Sequence, residues 1–295
     1  GAGVRPQGPG RLRARAVAVR AQGGGAEDEL ADDGTSLELF RQQLIRNFDG
    51  DASIGSATDG VRWASCIQDP GEAGPGDLLL ANPSRFVQNA ARAGAGEMGS
   101  IGGLSGVAMK AMSFLGIGEQ GVARDLPRRD RGRLMPVVLL LRRNDDGSGE
   151  GLSLTTRTGM LLGDYDLFSE FMIRPLHDGG PDRAGLLWIH PYPQVANSKR
   201  LGSSELYAAG DKESAQQWVG DEGQGSSLRF RFFVNRVRWG KGELTGEIND
   251  GSWIPVRCSP EFVLDEGGEI GTKPLWIDVA EAAGGRAEEA AREAD

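Results

Sequence analysis

The sequence predicts an α+β fold, and three observations carry that prediction. Pro136 to Arg142 (PVVLLLR) is a short run that is apolar on both faces, which suits a strand in the middle of a sheet covered on both sides. Phe230, Phe232 and Val234 alternate with Arg229, Arg231 and Asn235, the period-2 signature of a half-buried strand. Strand and helix patterns then mix along the chain without a regular βαβ rhythm, which argues against a doubly wound parallel sheet.

The elements follow in order. Ser36 precedes Leu37, Phe40, Leu44 and Phe48, whose spacings of three and four predict a capped helix over about 36–48. Arg62 to Ile67 is a short strand, Pro70 to Gly76 a turn, and Asp77 to Ala81 an apolar strand ended by Asn82-Pro83. Residues 86–134 interrupt the pattern. Within them Ile101, Leu104, Ala108, Met112 and Leu115 form one helical stripe, weakened by Gly102, Gly103 and Gly106 at about 1 kcal/mol each. A basic loop follows from Arg124 to Arg133, including Arg128, Arg129 and Arg131. A loop this long within a compact domain is functional or disordered.

After the aliphatic strand, Asn144-Asp145-Asp146-Gly147 has hairpin-turn composition, and Gly151 to Thr156 returns as its partner. Asp164 to Phe171 reads as a helix with Leu167, Phe168 and Phe171 on one face. Ile173 to Leu176, Leu186 to His190 and Glu205 to Ala208 are further strands, and Asp211 caps a helix ending at Val219. Beyond the Phe-rich strand come a turn at Trp239 to Gly242, a helix from Glu243 to Asn249 stopped by Gly251, and a strand from Ser252 to Arg257. Pro255 places that strand at an edge or an irregularity. Trp239 and Trp253 flank the short helix and are expected to pack beneath it. The Ala/Glu-rich end, 284–295, is expected to be disordered, or a solvated helix with no core to dock on.

Composition sets the outer limits. The 295 residues include 46 glycines, far above ordinary usage, so loops and insertions must be extensive. A net charge of −9 argues against nonspecific nucleic-acid binding, which draws its affinity from a basic surface. The longest purely aliphatic run, Val137 to Leu141, is far too short for a bilayer span. Cys66 and Cys258 cannot build a disulfide framework and read as buried free thiols. Arg5, Arg11, Arg13, Arg15 and Arg20 precede the first acid, Glu27. An Arg-rich, acid-free stretch over residues 1–26 fits an organelle transit segment, with Val19-Arg20-Ala21 as a processing site; a disordered tail without a targeting role is the alternative.

Chemistry-bearing motifs are sparse. Gly94 to Gly99 matches G-x-G-x-x-G, but Val87 to Ala93 is a poor strand to precede a dinucleotide loop. Neither a G-x-S-x-G elbow nor a G-x-x-x-x-G-K-[ST] phosphate loop occurs. His177, Asp178 and Asp182 lie round Gly179-Gly180-Pro181; a hydrogen-bonded turn suits them better than a cation site, which usually needs three ligands. His190 ends a strand as a general base, an anion contact or a satisfied structural histidine, with no evident third member of a triad. Glu243 and Glu247, one helical turn apart, would face the same way as an acid–base pair or a solvated face. No metal or cofactor is assigned.

Several blocks, in order, resemble the AlgH-like family. They are Gly76 to Pro83 (GDLLLANP), Val137 to Leu141, Gly151 to Leu154 with Thr158-Gly159, Gly179-Gly180-Pro181, Leu187 to His190, Phe230 to Trp239, Glu243 to Ile248, and Trp253. Ser36 to Leu44, Trp63-Ala64, Cys258-Ser259 and Leu275-Trp276 look like its plant and algal branch. The resemblance implies a bifurcated β-sheet forming a partial barrel with flanking helices over about 35–280. Residues 86–134 are then a lineage-specific insertion, and the location is the chloroplast stroma. Two turns depart from the family pattern. Thr155-Thr156-Arg157 stands where relatives carry Asn-Arg-Pro, and Asn235 to Trp239 where they carry Gly-Tyr-Ala-Gly-Trp. Bulk replaces glycine there, so any cleft lined by those turns in relatives is altered or filled.

The function class expected is a non-enzymatic binding, assembly or regulatory module. Its protein partner would dock through Ile101, Leu104, Met112, Leu115, Arg128, Arg129 and Arg131. The alternative is a small-molecule site for a nucleotide or anionic metabolite at Arg157, Gly179, Gly180, Pro181, His190, Trp239 and Glu243. Transcriptional regulation through DNA, which the family's history also suggests, lacks the electrostatic footprint.

Overall fold

A computed structural model of the chain describes residues 62–85, 135–165, 169–220, 224–265 and 273–294. The helices expected at 36–48 and 100–115, the basic loop 124–133 and the Arg-rich first 26 residues lie outside the described residues.

The described chain is α+β with two open six-stranded sheets. The first runs β1 (Ala64–Cys66), β12 (Trp253–Cys258), β2 (Leu78–Ala81), β3 (Val137–Arg143), β4 (Gly149–Ser153) and β11 (Val237–Trp239), antiparallel throughout. The second runs β5 (Arg157–Leu161), β6 (Pro175–Asp178), β10 (Arg231–Val234), β7 (Leu187–His190), β9 (Tyr207–Ala208) and β8 (Lys199–Arg200), with β6 and β10 parallel. The divided sheet is as expected, and neither half closes into a barrel. Around the sheets lie α1 (Lys212–Val219), α2 (Glu243–Asn249), α3 (Pro260–Leu264), α4 (Leu275–Ala283) and α5 (Gly285–Ala294).

β3 holds the centre of the first sheet because its sequence has no polar face to offer solvent. Val137, Val138, Leu139 and Leu140 are fully buried between β2 and β4. Each such side chain contributes roughly 1.5–3 kcal/mol on leaving water. The hairpin to β4 turns at Gly147, whose φ of 77° lies in the left-handed region. Trp239 and Trp253 close over this strand in the same core.

Four expectations need correction. The alternation in β10 predicts one solvated face, yet Arg231 and Phe233 are as buried as Phe232. The strand separates two cores, with Phe230 and Phe232 in one and Phe233 in the other. Arg231 tolerates burial because Leu154 O and Val263 O accept from its guanidinium at 2.6 and 2.8 Å. Pro255 sits in an inner strand, which corrects the edge and leaves the irregularity, since the β1 ladder stops at Cys66 and Val256, one residue short of it. Ile67 N donates to Pro255 O at 3.0 Å, but proline has no N–H to return, and Arg286 supplies the donor to Ile67 O at 2.6 Å instead.

The helix expected over 164–171 is replaced by 3-10 turns at Leu162–Asp164 and Ser169–Phe171, with Phe171 as a core residue. The acidic carboxyl end is not a helix without a core. Ala287, Ala290 and Ala291 fall three and four apart in α5 and are buried against α4 and β1. Alanine's small side chain permits that close approach and costs no rotamer entropy.

Candidate functional site

The sheets meet where the chain passes from β10 to β11. Asn235 makes the corner with φ 64°, its side chain donating to Asp178 Oδ1 at 3.1 Å. The Gly179-Gly180-Pro181 turn packs on this corner. Gly180 has φ 149°, and a Cβ there would stand 2.4 Å from the Arg236 carbonyl carbon. Asp178 also accepts from Gly180 N, while Asp182 and Arg236 exchange backbone hydrogen bonds at 2.9 Å. The aspartates therefore build the turn. Among the described residues no group of three metal-ligating side chains occurs.

Beyond the corner, β11 delivers Trp239 to the base of α2. Gly151 makes room, since a Cβ there would stand 2.7 Å from Val138 and 3.3 Å from the Trp239 ring. Trp239 and Trp253 meet edge to face at 6.2 Å, and both indole N–H groups donate to Glu247 Oε2, at 2.8 and 2.6 Å. Glu247 is only 5% exposed. The expectation of a carboxylate pair on one face of α2 fails. Glu243 is exposed and accepts from Gly240 N at 2.6 Å, while Glu247 is a buried anchor for two tryptophans.

Both histidines are buried in the fold. A carbonyl only accepts, so the 2.9 Å contact from His190 Nε2 to Ala209 O places the proton on Nε2. Nδ1 then accepts from Tyr192 N at 3.2 Å. The ring is buried and stacks on Phe230 at 4.9 Å, and burial lowers its pKa. His177 donates from Nδ1 to Phe232 O at 3.2 Å. Burial first, then the neighbouring Arg231 charge, holds it down at about 3. Both rings are neutral at physiological pH. Cys66 and Cys258 are free thiols, and burial pushes Cys258 up to about 12.

The small-molecule cluster expected from sequence is not gathered. Arg157 is exposed on the edge strand β5, opposite His177. His190 lies on β7, three strand spacings (roughly 14 Å) across the second sheet, and Trp239 belongs to the first sheet. The expected docking residues Ile101, Leu104, Met112, Leu115, Arg128, Arg129 and Arg131 lie outside the described residues.

Two surface features escaped the sequence. Arg142, Arg236 and Arg238 converge on Glu150, at 3.4, 3.1 and 3.3 Å. Cross-strand register makes this cluster, because Glu150 pairs with both Arg142 and Arg238. The second feature is apolar. Met160, Leu161, Tyr165, Met172 and Ile173 are all exposed around the end of β5. Two backbone amides there are satisfied locally, Met160 N by Thr158 Oγ1 and Leu161 N by Asp164 Oδ2. Only the alternation-breaking run Gly159-Met160-Leu161-Leu162 hinted at this.

Two open sheets, a glycine turn packed on the crossing strand and an indole-held carboxylate define an α+β domain of divided-sheet type. The AlgH-like family model matches residues 135–288, over half the chain, and the chain belongs to that family. It is similar to a UPF0301 protein of Chlorobaculum parvum, 26% identical over 152 residues that make up 50% of this chain and 77% of the relative. A UPF0301 protein of Parabacteroides distasonis is 27% identical over 151 residues, 50% and 73% of the two chains. Among solved structures, protein DIP2367 from Corynebacterium diphtheriae aligns with a TM-score of 0.46 at 18% identity, covering 75% of this chain and 92% of that one. The AlgH protein from Pseudomonas aeruginosa aligns at 0.39 and 18%, covering 54% and 84%. Among the described residues no helix is long and apolar enough to cross a membrane.

Proposed function

We propose that this AlgH-like chain is a binding module rather than a catalyst, and that it works in the plastid. The observation that carries the reading is the engagement of two buried groups suited to proton transfer. His190 has both ring nitrogens spent on Ala209 and Tyr192, and Glu247 holds two indoles. A general base needs a lone pair within reach of substrate, and His190 keeps none. The exposed apolar side chains from Met160 to Ile173 supply a surface for a protein partner. Because nearby side chains already take the amides at 160 and 161, that surface suits side-chain docking rather than strand addition. The location rests on the Arg-rich, acid-free first 26 residues.

The full chain, immobilised and exposed to plastid soluble extract, tests the reading. Wild type should retain a defined protein that the Met160→Asp/Ile173→Asp double variant loses, with no change in the extract's metabolites. A metabolite consumed by wild type but not by His190→Asn would overturn it. So would equal retention of that protein by the double variant.

A further inference from the structure

We propose that Arg142, Arg236 and Arg238, gathered round Glu150, bind the phosphoryl group of a small phosphate monoester. This goes beyond the partner-binding reading and uses a different face of the molecule. The three guanidinium groups come from β3, from the β10–β11 corner and from β11, and the Cα register of three adjacent strands puts them together. They share a single carboxylate, the only one in ion-pair reach of them among the described residues. Glu150 Oε1 meets Arg142 Nη2 and Arg238 Nε, and Oε2 meets Arg236 Nη1.

One carboxylate cannot satisfy three forks of five N–H donors each. Arg142 and Arg238 keep about half of their side chains exposed (54% and 53%), and the Arg236 Nε–H is buried without an acceptor. Two further charges lie in the adjoining turn. The Asp182 carboxylate accepts from the Arg238 amide, and exposed Arg183 follows it in sequence, so the two cancel. Two positive charges are left over, on a chain whose net charge is −9.

Glu150, 16% exposed, acts as a strut that holds the guanidinium planes in place before a ligand arrives. A phosphate monoester matches what remains. It is a dianion near neutral pH, and its oxygens accept bidentately from arginine in a way that a lone carboxylate oxygen does not. The exposure of Arg142 and Arg238 makes the site shallow, which fits a terminal phosphoryl group with the rest of the molecule outside.

Isothermal titration of the full chain at low ionic strength with inorganic phosphate and phenyl phosphate tests this. Both should bind, and added potassium chloride should weaken them. Arg142→Gln/Arg238→Gln should weaken phenyl phosphate by about tenfold or more while the melting midpoint stays near wild type. Glu150→Gln should retain or tighten binding, an effect that a purely structural ion-pair cluster would not give. Undiminished binding in the double arginine variant, or no heat with either probe at millimolar concentration, overturns the proposal. A phosphoserine peptide binding more than about tenfold tighter than phenyl phosphate would also overturn it, by moving the site to a phosphorylated protein. None of these readouts needs the partner surface at β5, so the two proposals fail separately.

Discussion

The two cores on either side of β10 bury their residues by different means. The first is aliphatic, built from Leu78 to Leu80, Val137 to Leu140, Val256 and Val263, with Trp239, Trp253 and Trp276 buried in it. Its buried anion, Glu247, is held by indole N–H groups. The second is aromatic: Phe171 meets Phe230 at 4.7 Å and Phe232 at 5.3 Å, and His190 stacks on Phe230. Polar groups line the sheet between the two cores. Arg174 donates to Leu228 O and Phe230 O, Arg231 to Leu154 O and Val263 O, and His177 to Phe232 O. The first core should therefore fail mainly through lost volume, and the sheet that divides the two through lost hydrogen bonds and unwanted protons.

The largest expected effect comes from volume. Trp253→Ala should cost about 3–5 kcal/mol, read by denaturant unfolding, because the indole is fully enclosed and the cavity cannot collapse. An unchanged midpoint would break the account of the first core. Next comes the carboxylate. Glu247→Ala should cost about 2–4 kcal/mol by orphaning two buried donors, and Glu247→Gln, which keeps an acceptor, should cost clearly less. Equal losses in the two variants would mean that packing, not the shared acceptor, matters there.

The smallest effect near neutrality is graded by pH and belongs to the sheet between the cores, where His177 packs on Phe233 at 5.4 Å. The unfolded chain protonates His177 near its ordinary 6.5, whereas the folded chain resists until about 3. Between those values the unfolded state binds more protons. Stability from this group is thus complete above 6.5 and falls by up to about 1.4 kcal/mol per pH unit as the solution is acidified. His177→Gln should flatten that acid limb relative to wild type. Identical slopes would show that the ring is not kept neutral by the fold.

Local periodicity made much of this architecture readable beforehand. β3, α1, α2 and the hairpin at Asn144 to Gly147 depend on near-neighbour patterning, and all are present where expected. What was not readable depends on pairing across distance. Helical spacing put Glu243 and Glu247 together, but Trp239 and Trp253, from strands at opposite sides of the first sheet, decide which of the two is buried. Alternation in β10 named its two faces correctly but not that both are covered, since the cover for Arg231 comes from Leu154 and Val263. The arginine cluster needed the register of β3, β4 and β11, which no single stretch of sequence contains.

The fold holds both histidines as buried neutral rings and engages His190 through both of its ring nitrogens. With only two histidines in the chain, long-range proton–nitrogen NMR can follow both rings from about pH 8 to about pH 4.5. Both rings should be neutral at pH 8, His190 carrying its proton on Nε2 and His177 on Nδ1, and His177 should stay neutral down to about pH 4.5. A His190 ring that titrates at or above its ordinary 6.5, or that carries its proton on Nδ1, would overturn that assignment.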